Sequence, residues 1–163
     1  MSHEPLETSH SVIAKARMVP KKRDLHNVPF VELFNDRLQG VVSSKSDYKR
    51  VYVSFFEAGT GDFYCSTNNN RPCGGLRGSP CKHLKTLLDN AIAQYGAERI
   101  VRYLRLDTDD KNLNAWAIMR LITGREKKTP ANEVFSRFLD YLRYVELPGH
   151  VGAAPDMDFF ITG

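Results

Sequence analysis

The sequence predicts an α+β domain: a small antiparallel hairpin or three-stranded sheet, a cysteine-rich loop that enters a helix, and a helical C-terminal half. Three observations carry this. Val51, Val53 and Phe55 alternate with Tyr52, Ser54 and Phe56, and Ala58-Gly59-Thr60-Gly61 separates them from Asp62-Phe63-Tyr64-Cys65, the pattern of two strands around a turn. All three cysteines fall at positions 65, 73 and 81, in a stretch rich in Asn, Gly and Pro. From Leu84 onward, apolar residues recur at helical spacing.

In chain order, residues 1–25 read as a basic arm, with Lys15, Arg17, Lys21, Lys22 and Arg23 around Pro20. That composition favours a solvated tail; the sharper reading is an arm laid on phosphates or on an acidic partner. One domain is expected over 26–147. Asn27-Val28-Pro29 reads as a helix start, Phe30, Leu33, Phe34 and Leu38 follow at helical spacing, and Gly40 stops the run. Residues 41–44 and 48–56 read as strands, and 62–65 as a return strand that delivers Cys65 at its end. Residues 66–80 have no apolar periodicity and one large aliphatic residue, Leu76; without a metal they have little reason to be ordered.

Leu84, Leu87, Leu88, Ala91, Ile92 and Tyr95 then form one helix face, with Ser79 as the expected cap, Pro80 in the first turn and Gly96 at the end. A second helix is expected over about 98–106. A third is expected to be capped by Asp109 and ended by Gly124, with Leu113, Trp116 and Ala117 inward. A fourth starts at Thr129, Pro130 and Glu133, with Val134, Phe135, Phe138, Leu139, Leu142 and Val145 buried. Residues 148–163 form a tail whose Met157, Phe159 and Phe160 fit a segment packed back on the domain or a short docking peptide.

With 42% apolar residues in 163, the chain can bury a core of its own, so a metal need not be all that holds the fold. No apolar run approaches the roughly 20 residues of a membrane span, and the first residues lack the basic-then-apolar pattern of a signal peptide. Three cysteines cannot all pair, which suits a reducing compartment. A cytoplasmic protein is expected, nuclear if the source is eukaryotic. A net charge of +4 and a pI near 9.0 suit a polyanionic partner without requiring one.

The spacing C-x7-C-x7-C-x-H places Cys65, Cys73, Cys81 and His83 in one short stretch. Three thiolates and an imidazole are a tetrahedral Zn²⁺ set, and protein fills every position. One structural zinc is the expected cofactor. A helix N-terminus at Cys81 favours its thiolate. The alternatives are ordinary buried cysteines at 65 and 81 with a loop thiol at 73, and a catalytic Cys81–His83 pair. Residues two apart on a helix diverge, however, and no third orienting residue stands out.

Residues 51 to about 95 resemble a SWIM-type zinc finger, in which a hairpin leads to a C-x-C pair and C-x-H opens a helix after a variable loop. Ser79-Pro80-Cys81-Lys82-His83-Leu84 is similar to that family's closing signature. The resemblance implies Cys81 and His83 as ligands, and Cys65 from its place after the hairpin. The family's second cysteine falls at position 67, where this chain has Thr67, so Cys73 is the shifted replacement. The resemblance covers about a quarter of the chain and implies a DNA- or protein-binding module.

No phosphate-binding glycine loop, H-E-x-x-H or nucleophile elbow occurs, so no enzyme is expected and no small-molecule substrate is identified. A weaker constellation, Asp107, Asp109, Asp110 and His150, is matched against Asp109 as a helix cap. The leading expectation is a zinc-stabilised module associated with nucleic acid, DNA ahead of RNA, within a larger complex. Lys49, Arg50, Arg71, Arg77, Lys82 and Lys85 would be its contacts, Lys45 another nearby cation, and Tyr48, Tyr52 and Tyr64 its stacking residues. The other expectation is a protein–protein adaptor in which the zinc is purely structural. No membrane association is expected.

Overall fold

The computed structural model describes residues 28–44, 47 and 50–146. Four strands form one antiparallel sheet in sequence order: β1 (Phe30–Phe34), β2 (Arg37–Ser43), β3 (Val51–Glu57) and β4 (Phe63–Thr67). Helices α1 (Lys82–Tyr95), α2 (Ala97–Leu104), α3 (Ala115–Leu121) and α4 (Asn132–Glu146) follow. The α+β class holds, with more sheet than the sequence pattern indicates. The arm, the tail, Lys45, Tyr48, Lys49 and His150 lie outside the described residues.

The expected first helix is instead the β1–β2 hairpin. Asn35 and Asp36 both adopt left-handed φ, 52° and 59°, and so form the two-residue turn whose twist matches the strands it joins. β2 is buried on both faces, and β1 at Phe30 and Val31, so the alternation that marks a one-sided strand is absent and the apolar residues coincide with helical spacing. Gly40 stops nothing. It pairs with Val31 and Ser54 in mid-strand, where a Cβ would lie 2.2 Å from the Phe30 carbonyl oxygen and 2.7 Å from Leu87 Cδ1.

Each face of the sheet has its own core. Val31, Leu38, Val42, Phe56 and Phe63 meet α1 through Leu84, Leu87, Leu88 and Ala91, which are all fully buried. α2 adds Ile100 and Leu104, and α3 adds Ala115 and Ile118. On the opposite face Phe30, Val41 and Val53 pack on Val134 and Phe138 of α4. The Phe30 ring lies 5.2 Å from that of Tyr141 and 5.9 Å from that of Phe138. Arg137 grips Glu32 with Nε and Nη2 and covers the Phe34 ring, which fixes α4 against the hairpin.

The helix boundaries depart from expectation at their starts. Cys81 itself precedes α1 without a side-chain cap, displacing Ser79 and Pro80 from that role. Asn114, not Asp109, caps α3, its Oδ1 accepting from Ala117 N–H at 2.9 Å. α3 ends at Leu121. Gly124 serves a close approach instead: its Cβ would lie 2.1 Å from the Gly61 carbonyl carbon. Trp116, Leu139 and Val145, expected inward, are exposed; each helix buries only a stripe, and these residues fall at or beyond its edge. Among the described residues, no helix is long and apolar enough to cross a membrane.

Candidate metal centre

β3 and β4 pair so that Ser54 stands opposite Cys65, which sits in the middle of β4 rather than at its end. After β4 the chain doubles back. Thr67 N–H donates to the Arg71 carbonyl at 2.8 Å, and Cys73 N–H to the Cys65 carbonyl at 3.0 Å, so Cys73 is laid beside Cys65. The loop then runs to Cys81, and His83 follows in the first turn of α1.

The result is a single cluster. The ligand atoms of Cys65, Cys73, Cys81 and His83 all lie within 4.8 Å of one another, close enough to hold one metal ion. His83 Nδ1 lies 3.3 Å from Cys73 Sγ, 3.8 Å from Cys65 Sγ and 3.9 Å from Cys81 Sγ. A tetrahedral zinc, with bonds of about 2.3 Å to sulfur and about 2.0 Å to nitrogen, sets sulfur and nitrogen about 3.5 Å apart. The donor set therefore fits such an ion. Cys81 and His83 do converge, because Cys81 precedes the helix while His83 is inside it; their i, i+2 spacing does not part them as it would within a helix.

The same proximity couples the titration of the four groups. Hydrogen bonds with Cys73 and then Cys81, with burial behind them, push the Cys65 pKa up, so Cys65 keeps its proton. The Cys65 hydrogen bond is the largest cause that lowers Cys73, to about 6, and Cys81, to about 4. Burial lowers the His83 pKa, but hydrogen bonds with Cys81 and Cys73 outweigh it and the net shift is upward. Sulfurs this close compete for protons, and a divalent cation among them would allow all three to be thiolates.

Three surrounding groups were not legible as parts of the site. Ser54, fully buried, donates its hydroxyl to Cys65 Sγ at 3.2 Å. Gly75 N–H donates to Cys73 Sγ at 3.4 Å, and a Cβ there would come within 3.1 Å of Cys81 Cβ. The Tyr52 ring stacks on His83, centroids 3.7 Å apart and planes 16° from parallel. The signal that could have found Ser54 is register: once the turn at 58–61 is placed, pairing puts Ser54 opposite Cys65. Replacing Ser54 with Ala is expected to weaken metal affinity about tenfold, as loss of an outer hydrogen bond to a ligand does. Competition against a chromophoric chelator measures this, and an unchanged affinity would show that the hydroxyl does not tune the sulfur.

The expected contact residues divide. Arg71 and Arg77 on the loop and Lys82 at the start of α1 are exposed and, among the described residues, carry no ion pair. Lys85 is half-buried, bonded to Asp89 at 2.7 Å and placed over the Trp116 ring. Arg50 is exposed on the β2–β3 connection, and Lys49 lies outside the described residues. Tyr52 is committed to His83, and Tyr64 is buried at 4% exposure, so neither is open to stack on a base. Asp107, Asp109 and Asp110 are exposed on the α2–α3 connection, away from any helix cap. The chain matches no protein-family model, no curated protein and no solved structure, so its functional reading rests on this Cys₃His cluster and the surface around it.

Proposed function

We propose that the protein is a zinc-stabilised nucleic-acid-binding module built in the manner of a SWIM-type finger, and not an enzyme. The observation that carries the nucleic-acid reading is the charge around the cluster. Residues 66–82 contain Arg71, Arg77 and Lys82 and no acidic side chain. Arg37, Arg102, Arg105, Lys127, Arg137 and Arg143 are engaged by carboxylates, whereas these three have no such partner among the described residues; Arg50, Lys111, Arg120 and Lys128 share that state, so what sets the loop apart is its lack of any acidic side chain. Cations left open on an ordered loop suit phosphate contact. The closed four-ligand set, with no position for water or substrate, supports a structural zinc over a catalytic one.

The test is binding of zinc-loaded protein to single- and double-stranded DNA and RNA across a salt series. Affinity should fall steeply with salt. Replacing Arg71, Arg77 and Lys82 together with Ala should reduce the slope of log affinity against log salt by about 2 for a single strand, at about 0.7 per phosphate contact. No binding to any of these at low salt would overturn the proposal. A second reading, a protein adaptor, is favoured by Leu139 and Val145, which stand 45% and 47% exposed on the outer side of α4.

A further inference from the structure

We propose that Trp116 is a stacking platform for an unpaired base of a single-stranded nucleic acid, with Lys82, Lys85 and Arg120 set to meet its backbone. This deepens the binding reading above and rests on it. Trp116 is the most exposed large apolar side chain among the described residues, at 57%. Its helix is nonetheless fixed: Ala115 and Ile118 on either side of it are buried in the α1 core, and Asn114 caps the N-terminus. The indole therefore stands out from a rigid support, a position that burial in this chain does not explain.

Its surroundings are basic. Lys85 Nζ lies 5.2 Å from the ring centroid, within the range of a cation–π contact. Lys82 lies one turn earlier on α1 and shares the Lys85 side of the helix. Arg120, one turn beyond Trp116 on α3, is exposed and without an ion pair among the described residues. α3 itself, AWAIMRL, has no acidic residue. Lys85 also holds the Asp89 carboxylate, at 2.7 Å. An apolar pocket on a protein partner would gain little from three cations around the indole. A nucleotide strand uses both parts, its base on the ring and its phosphates on the cations. A paired base, stacked inside a duplex, offers no face to Trp116, which is why the strand must be single.

Because Trp116 is the only tryptophan in the chain, its fluorescence reports this site alone. The experiment titrates the zinc-loaded full chain with a short labelled oligothymidylate, following anisotropy of the label and emission of Trp116 in the same sample. Binding should be accompanied by quenching. Trp116→Ala should weaken binding roughly tenfold or more, while Trp116→Phe should retain most of the affinity. The exposed position leaves both variants folded, which thermal unfolding checks. Binding without quenching, and unchanged by Trp116→Ala, would overturn the stacking proposal and leave the nucleic-acid reading standing. Binding to duplex alone would do the same. No binding by any variant at low salt would overturn both.

Discussion

Stripping the metal with a chelator is expected to disorder residues 66–80 and lower the thermal midpoint of the domain by about 10 °C or more, the shift that a loss above about 4 kcal/mol produces in a chain of this size. In isolated zinc-finger peptides the metal supplies roughly 10–16 kcal/mol of folding free energy. Here the sheet and α1 share a core of their own, so part of the fold survives removal. The loop has no such reserve. Gly74, Gly75, Arg77, Gly78 and Ser79 are exposed, and the Cys65, Cys73 and Cys81 sulfurs form its buried anchor. The expected observables are one zinc per chain in the purified protein, its loss on chelation, and new protease cleavage between Cys65 and Cys81. Cys81→Ser should reproduce them without a chelator. A metal-free preparation with the same midpoint and an uncut loop would show that the four residues form a plain buried cluster.

Gly40→Ala is expected to destabilise the protein by about 3 kcal/mol, near the upper end of what overpacking a core costs, and to do so with the metal in place. The added methyl meets two obstacles. Leu87 can change rotamer, but the Phe30 carbonyl oxygen, 2.2 Å from where that methyl would stand, belongs to the backbone of the paired strand and moves only if β1 moves. The thermal midpoint, measured with zinc present, should fall by about 8 °C. Metal affinity should change far less, because Gly40 lies on β2, two strands from Cys65. An unaltered midpoint would mean that α1 does not sit on the sheet as closely as described.

These two positions also mark where sequence was informative. The α1 face was legible because helix periodicity is a local property: Leu84, Leu87, Leu88 and Ala91 are buried as their spacing requires. The four ligands were legible because cysteine and histidine chemistry narrows the choices, and the structure brings all four together. β1 and β2 were not, since burial on both faces of β2 and at Phe30 and Val31 of β1 erased their period and left Asn35-Asp36 as the remaining sign of a hairpin. Gly40 looked like a terminator because its role depends on Leu87, 47 positions away in the chain. Ser54 reads as an ordinary strand residue and Tyr52 as a base-stacking one; the fold sets them beside Cys65 and His83 instead. Size and apolarity, with no knowledge of neighbours, favour burial of Trp116, whereas the fold leaves it exposed.

The loop that carries Cys73 is also fastened to the far end of the domain. Asn70 Oδ1 accepts from Ala131 N–H at 2.7 Å, just before α4, and Gly78 N–H donates to Glu126 at 3.0 Å. The Phe63–Glu126 bridge joins the same two regions along β4. The two ends of the domain are therefore mechanically linked: any loosening of residues 66–80 releases the Ala131 N–H at the threshold of α4 and the Glu126 carboxylate before it.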